Sequence, residues 1–466
     1  MFSPLLDPDP ILCTTGPNLN IQIDGGDKHF FSPGDTIIGT VSRQTPIVAP
    51  HCSIRLSLHG RSLVRILEWS GSHVKTHAGQ VGLIRDLEHT QVLFEGPLHV
   101  AAGAGRVAQS WAFAVDLPSH VELERPDLGL GGNHHSFVAA AATHPHPLPQ
   151  SFSCGAFPLR SSGHIEYYLK AVLQYRTHGG GEGSDGGRTL SATLPVEVRR
   201  RNHEPLPPPP PIADFGAVTR RQPTCVRSYR LLPGTDAARG RRLSLLLLQK
   251  AHSAVGSSRV PALHGEWELT TPTVVQPGNP ARLVPVSVRL VPDDARSSAA
   301  VRGSPPRIRL LALRLRVHGL AVVQCRGGWR PTPRTQTCSR ETECRIWPPP
   351  GPPPAPVYIP CTDGSPALDV AAEAGFLLPA LTPTFETFNI RLYYRFEYRL
   401  HVEIAGDDVE VLFSEEVTVL PPLGDGPRRA SLEGRSESWI RPPCESEPPP
   451  SFDEAMLGEG LGRLQV

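Results

Sequence analysis

Lysine is nearly missing from this chain: of its 46 basic residues only Lys28, Lys75, Lys170 and Lys250 are lysines, and the rest are arginines. Amine-directed modification is therefore confined to four side chains. An excess of either charge is missing too, with 46 basic against 45 acidic residues and a net charge of +1. Such a balance gives no expectation of nucleic acid or of a strongly acidic substrate as partner. The nine cysteines are scattered and contain no C-x-x-C pair, so neither a zinc ribbon nor a thioredoxin-type redox pair is indicated. The densest group, Cys325, Cys338, Cys344 and Cys361, has irregular spacing and reads as free thiols in a reducing cytosol rather than as a metal site. Met1 to Cys13 has no basic segment ahead of an apolar one and is not expected to be a signal peptide. The most apolar stretches, Phe137 to Ala142 and Leu243 to Leu248, are far short of a membrane span. No G-x-S-x-G elbow, Walker loop, dinucleotide fingerprint or H-E-x-x-H occurs, and no cofactor is expected.

Alternation with period two is what the chain does contain. Leu19, Ile21 and Ile23 alternate with Asn20 and Gln22, and Ile54, Leu56 and Leu58 with Arg55, Ser57 and His59. Trp111, Phe113, Val115 and Leu117 follow the same rule. Ile165, Tyr167, Leu169, Ala171, Leu173 and Tyr175 line one face of a long predicted strand. The longest series runs from Phe388 and Ile390 through Leu392, Tyr394, Phe396, Tyr398, Leu400 and Val402 to Ile404. Asn389, Arg391, Arg395, Glu397, Arg399, His401 and Glu403 fill most of its other face. A helix would scatter these apolar residues, whereas a strand turns them all toward a second sheet. Many short strands without intervening helices predict an all-β chain of antiparallel sandwiches.

The 52 prolines are barred from helix interiors and central strands, so loops and tails must hold many of them. Arg199 to Pro211 is basic and ends in five prolines. His134 to Pro149, Gly179 to Gly187 and Pro348 to Pro356 read as loop insertions, and from Pro421 the chain is polar, Pro-rich and without period. The predicted organisation is an N-terminal tail (1–18), a strand-rich block (19–200), a Pro-rich linker (201–225), a second block (226–420) and a disordered tail (421–466). Each block exceeds a minimal sandwich of ~100 residues, and the insertions account for part of the excess.

Phe31-Ser32-Pro33-Gly34-Asp35-Thr36-Ile37-Ile38-Gly39-Thr40-Val41 resembles the opening of the arrestin N-terminal domain. Pro33-Gly34 suits a tight turn, and Gly39 inside a strand predicts a bulge or a close backbone approach. Trp111 to Pro118 and Gly163 to Tyr175 resemble later strands of that domain. Trp267 to Pro292, turning at Gln276-Pro277-Gly278, resembles the start of the arrestin C-terminal domain. Thr384 to Pro421, entered through Thr387-Phe388-Asn389-Ile390, resembles the C-terminal strands of fungal arrestin-like proteins. The resemblance covers both blocks in order. It implies two tandem immunoglobulin-like arrestin β-sandwiches and an adaptor role without enzyme activity. Such proteins join the cytosolic regions of membrane transporters or receptors to WW-domain HECT-type ubiquitin ligases for ubiquitin-dependent endocytosis. A cytoplasmic protein recruited to the plasma membrane or endosomes, with peripheral membrane association at most, is then expected. The alternative is an arrestin-like signalling or vesicle-sorting scaffold that recruits no ligase.

Family members recruit the ligase through Pro-Pro-x-Tyr. Here Pro449-Pro450-Ser451-Phe452 has Phe452 in place of Tyr, so the candidate WW-binding residues Pro449, Pro450 and Phe452 lack the hydroxyl. Arg428-Arg429-Ala430-Ser431-Leu432 is a basophilic kinase pattern, with Ser431 the acceptor and Arg428 and Arg429 its recognition residues. Phosphorylated, it would suit an Arg-lined reader such as a 14-3-3 protein. Arg241-Arg242-Leu243-Ser244 starts in the same way, but its apolar continuation places Ser244 in a buried strand. Lys75, beside His73, Thr76 and His77, is the expected exposed loop acceptor for ubiquitin. Lys170, opposite Tyr167 and Leu169, is the second. His134, His135, His144 and His146 invite a metal-dependent enzyme as a third reading. Their Pro- and Gly-rich surroundings offer no scaffold for a tetrahedral site.

Overall fold

The computed structural model describes residues 11–24, 30–84, 89–101, 108–121, 137, 146–155, 161–176, 187–200, 216–231, 260–277, 284–303, 305–326, 333–349, 355–362 and 364–422. The chain is all-β. The first half holds β1 (Asn20–Ile23), β2 (Phe30–Phe31), β3 (Thr36–Arg43), β4 (Ile47–Ser70), β5 (His73–Gly82), β6 (Thr90–Val100), β7 (Gln109–Asp116), β8 (Phe152–Cys154), β9 (Ser162–Arg176) and β10 (Gly187–Val198). The second holds β11 (Ala217–Arg227), β12 (Ala262–Pro272), β13 (Val274–Val275), β14 (Ser287–Pro292), β15 (Ile308–Arg326), β16 (Pro333–Trp347), β17 (Tyr358–Ile359) and β18 (Leu368–Asp369). The helix α1 (Val370–Ala374) follows, then β19 (Phe385–Glu386), β20 (Ile390–Ile404) and β21 (Asp407–Val419).

Four sheets result, and among the described residues none mixes strands from the two halves. In the first half a small sheet β1-β3-β7 accompanies a large one ordered β2-β10-β9-β4-β5, with β6 on β4 and β8 on β9. In the second, β11-β12-β14-β18 accompanies β13-β21-β20-β15-β16, with β17 on β15 and β19 on β20. The two large sheets have the same pairing order, down to a two-residue strand running parallel to the last strand of each half. From Ile390 onward the longest alternating series behaves as expected, while Phe388 and Asn389 lie in the turn before the strand. Every even-numbered residue of β20 from Ile390 to Ile404 is buried, and none of the odd-numbered ones is. Its outer face is a charge lattice: Arg316 reaches Glu341 at 2.6 Å, Arg399 reaches Glu397 at 2.9 Å, and Arg309 approaches Glu403. The buried sides of all four sheets join in one connected apolar cluster.

Two local expectations hold in detail. Asp35 N donates to Ser32 O at 2.9 Å, closing a turn over Pro33 and Gly34, whose φ of 92° favours glycine. A Cβ on Gly39 would stand 2.2 Å from Gln22 O and 2.8 Å from the Phe113 ring, so β1 and β7 close on β3 only because no side chain is there.

The boundary set at residue 225 is corrected. Residues 217–225 belong to β11, paired residue for residue with β12 from Ala217↔Pro272 to Arg227↔Ala262. β11 is an edge strand, so Pro223 breaks no ladder and Arg220 and Arg221 point out to Glu415 and Glu268. Its composition therefore imitates a linker. Residues 11–18 are also tied down: Ile11 N donates to Glu166 Oε2 at 3.0 Å and Thr14 N to Thr193 O at 3.0 Å.

Gly39→Ala is expected to lower stability by about 1–3 kcal/mol, seen as a lower urea midpoint at unchanged slope. Gly82, with open space where a Cβ would stand, is the control; alanine there should stay within about 0.5 kcal/mol.

Candidate functional site

The long strands β4 and β9 meet β15 and β20 where the halves press together. The Cβ position of Gly163 on β9 lies 2.7 Å from Val323 and 3.1 Å from Ile390, and that of Gly79 on β5 lies 3.0 Å from Cys325. The Phe152 and Phe385 rings, which open the equivalent short strands β8 and β19, meet edge to face with centroids 4.9 Å apart. Each of these strands is also preceded by the same tie. Tyr167 OH donates to Pro149 O at 2.6 Å and Tyr394 OH to Thr382 O at 2.7 Å, each carbonyl three residues before its short strand.

Polar groups in this contact are paired across it. Ser62 on β4 is fully buried, and its hydroxyl donates to Asn389 Oδ1 at 2.5 Å, while Asn389 Nδ2 returns a bond to Ser62 O at 3.3 Å. Asn389, expected on the solvent face of its strand, is only 6% exposed, because it sits in the turn before β20. That turn is built by Thr387, whose Oγ1 accepts from Ile390 N at 3.0 Å, and by Gln324, whose Nε2 donates to Phe388 O at 2.9 Å. Ser161 is a second hub. It accepts from Leu67 N at 2.9 Å, donates to Gln336 Oε1, and its carbonyl accepts from Cys338 Sγ at 3.4 Å. Near the solvent edge Arg334 on β16 pairs with Glu68 on β4. The Arg334 hydrogen bond, more than nearby His77, holds the Glu68 carboxyl below the usual carboxylate range.

Beside these contacts lies a cleft of about 910 Å³. Its floor is β15 and β20 at Val317, Gly319, Ala321, Leu392 and Tyr394; one wall is β16 from Gln336 to Arg340. The other wall is β8 with Leu67 and Trp69, and Pro379 to Thr382 close one side. Trp69 stands 71% exposed opposite Val74, itself exposed, in the β4–β5 ladder. β16 is the outermost strand of its sheet, so one of its backbone edges has no ladder partner among the described residues. Burial pushes the Tyr394 hydroxyl up to about 12, so it acts as a neutral hydrogen-bonding group.

Pro449, Pro450, Phe452, Ser431, Arg428 and Arg429, and also Ser244, fall outside the described residues, as do His134, His135 and His144. His146 is described; its ring lies 5.9 Å from that of Phe388. Lys75 is exposed but sits in β5, not in a loop. β5 is an edge strand with both faces wet at its start, so its sequence lacks the alternation of a half-buried strand. Lys170 is half-buried on central β9, on the face away from buried Tyr167 and Leu169. The eight described cysteines are free thiols. Among the described residues no three His, Cys, Asp or Glu side chains are grouped to hold a metal, and no helix is long and apolar enough to cross a membrane. The cleft left no signal in the sequence, since its walls come from segments 180 or more residues apart, such as Cys154 and Gln336. No protein-family model matches the chain, and no curated protein matches it in sequence.

Asn389→Ala is expected to cost about 1–3 kcal/mol by leaving the Ser62 hydroxyl without its partner. A double-mutant cycle with Ser62→Ala in thermal melts should show clear non-additivity; additive losses would mean the two side chains do not act together. Glu68 gives a pH test. Its carboxyl is lowered on folding, so its contribution is present above the unfolded value and is lost as pH falls through the folded one. The stability gap between wild type and Arg334→Gln should therefore persist near neutral pH and close in acid.

Proposed function

We propose that this chain is an arrestin-like adaptor. Two sandwiches in series hold the cytosolic region of a membrane transporter or receptor together with a WW-domain HECT-type ubiquitin ligase, and the chain performs no chemistry of its own. It works in the cytoplasm and meets cargo at the plasma membrane or endosomes. The observation that supports this most is the repeated pairing order of the two large sheets, joined at a junction that carries a cleft. An extended cargo segment suits that cleft. The open edge of β16 offers backbone hydrogen bonds, and Trp69 offers an apolar anchor. Ligase recruitment is assigned to Pro449, Pro450 and Phe452. A phosphate on Ser431, fewer than 20 residues before them, brings in a 14-3-3-type reader that blocks the ligase.

The test pairs tail peptides with a panel of WW domains and the full chain with cell extracts. Phe452→Tyr should tighten WW binding several-fold to tenfold, since the restored hydroxyl is worth about 0.5–1.5 kcal/mol, and Phe452→Ala should abolish it. In the full chain Trp69→Ser should lose membrane-protein cargo and keep the ligase. Equal affinity of all three peptides, with cargo but no ligase recovered, replaces this reading with a signalling or sorting scaffold.

A further inference from the structure

Two thiols from opposite halves converge on one short segment, Ser161 to Gly163. Cys154 ends β8 and pairs with Gly163, and its Sγ lies 3.2 Å from where a Cβ on that glycine would stand. Cys338 lies on β16 opposite Ala321, and its Sγ donates to Ser161 O at 3.4 Å. The two side chains thus approach the same short segment from either side of the cleft. Both side chains are part-exposed and line the cleft, so a small oxidant reaches them from solvent. Among the other described cysteines, Cys344 is also part-exposed and on β16, but it does not line the cleft. Cys52, Cys325 and Cys361 are buried, with burial pushing the Cys325 thiol up to about 11 and that of Cys361 up to about 12. Exposed Cys13 and Cys225 touch Thr15 and His264.

We propose that Cys154 and Cys338 are a peroxide-responsive pair that forms a disulfide and bolts the two halves together across the cleft. Cys338 is the attacking sulfur. The neighbouring Cys154 S–H holds its thiol below the ordinary range, while Cys154 itself is raised. The Cys338 thiolate attacks one oxygen of hydrogen peroxide; the O–O bond breaks, the sulfur becomes a sulfenic acid and hydroxide leaves. The Cys154 sulfur then attacks the sulfenyl sulfur. The S–S bond forms, the S–O bond breaks, and the Cys154 proton leaves with the hydroxyl as water. Two sulfurs are each oxidised by one electron, and the peroxide is reduced by two. The bond formed is about 2.05 Å long and needs the two Cα atoms within about 7 Å of each other. A bond between residues 154 and 338 encloses much of both halves in one covalent loop, the arrangement in which a crosslink most restricts the unfolded chain.

The experiment uses the full chain, first reduced and then titrated with hydrogen peroxide. Thiols are blocked, the protein is digested without reduction and the peptides are mapped. At low peroxide the dominant linkage should join the peptides carrying Cys154 and Cys338, with the intact mass lower by two hydrogens. The melting temperature should rise by at least about 2 °C and return on reduction. Cys154→Ser and Cys338→Ala should each remove the linkage and the shift, while their reduced forms still melt cooperatively. Either cysteine found over-oxidised alone or joined first to another cysteine would overturn the proposal. So would a Cys154–Cys338 linkage that leaves the melting temperature unmoved.

Discussion

The architecture rests on a mismatch of lengths. β4 has 24 residues and β15 has 19, while the strands of the small sheets have at most 11. An apolar strand face longer than the sheet that covers it must find another cover or stay wet. Each half finds it on the other. Leu63, Val64 and Ile66 on β4 and Val317, Ala321 and Val323 on β15 are all buried, and β9 reaches Val323 and Ile390 across the boundary. The halves are therefore one hydrophobic structure even though no sheet crosses between them among the described residues.

Burial alone would let the two faces slide. Ser62 and Asn389 prevent it, because a hydrogen bond in a dry contact has one register in which it is made and many in which a buried polar group is left bare. The cost of a misfit is larger than the gain of a fit, so such pairs set position more than they add stability. The cleft follows from the same fit. The halves touch through side chains chosen for register, and the strip between β8 and the edge of β16 stays open.

Where the sequence misled, the cause was local composition. Arg220, Arg221 and Pro223 look like a linker, yet an edge strand tolerates all three because one of its backbone rows needs no partner. Lys75 looks like loop for the same reason. Asn389 continues the polar series of β20 by count, but the Thr387 turn rotates it out of that series and into the junction. Gly39 shows the opposite case. A glycine inside an alternating strand has few physical uses, so a bulge or a close approach was legible there, and the fold supplies Gln22 as the partner.

The sequence by itself determined the all-β class, the buried faces of β9 and β20, and the Pro33-Gly34 turn. All of these depend on neighbours within a few residues, where period and turn chemistry act. Only the tertiary structure decided that both halves share one pairing order, that Cys154 meets Cys338, and that Ser62 bonds to Asn389. Those contacts join residues 184 and 327 positions apart. Over such separations the alternation of apolar residues says which face is buried but not against what, because any apolar face satisfies the hydrophobic effect equally and only the packed shape and the buried hydrogen bonds choose among them.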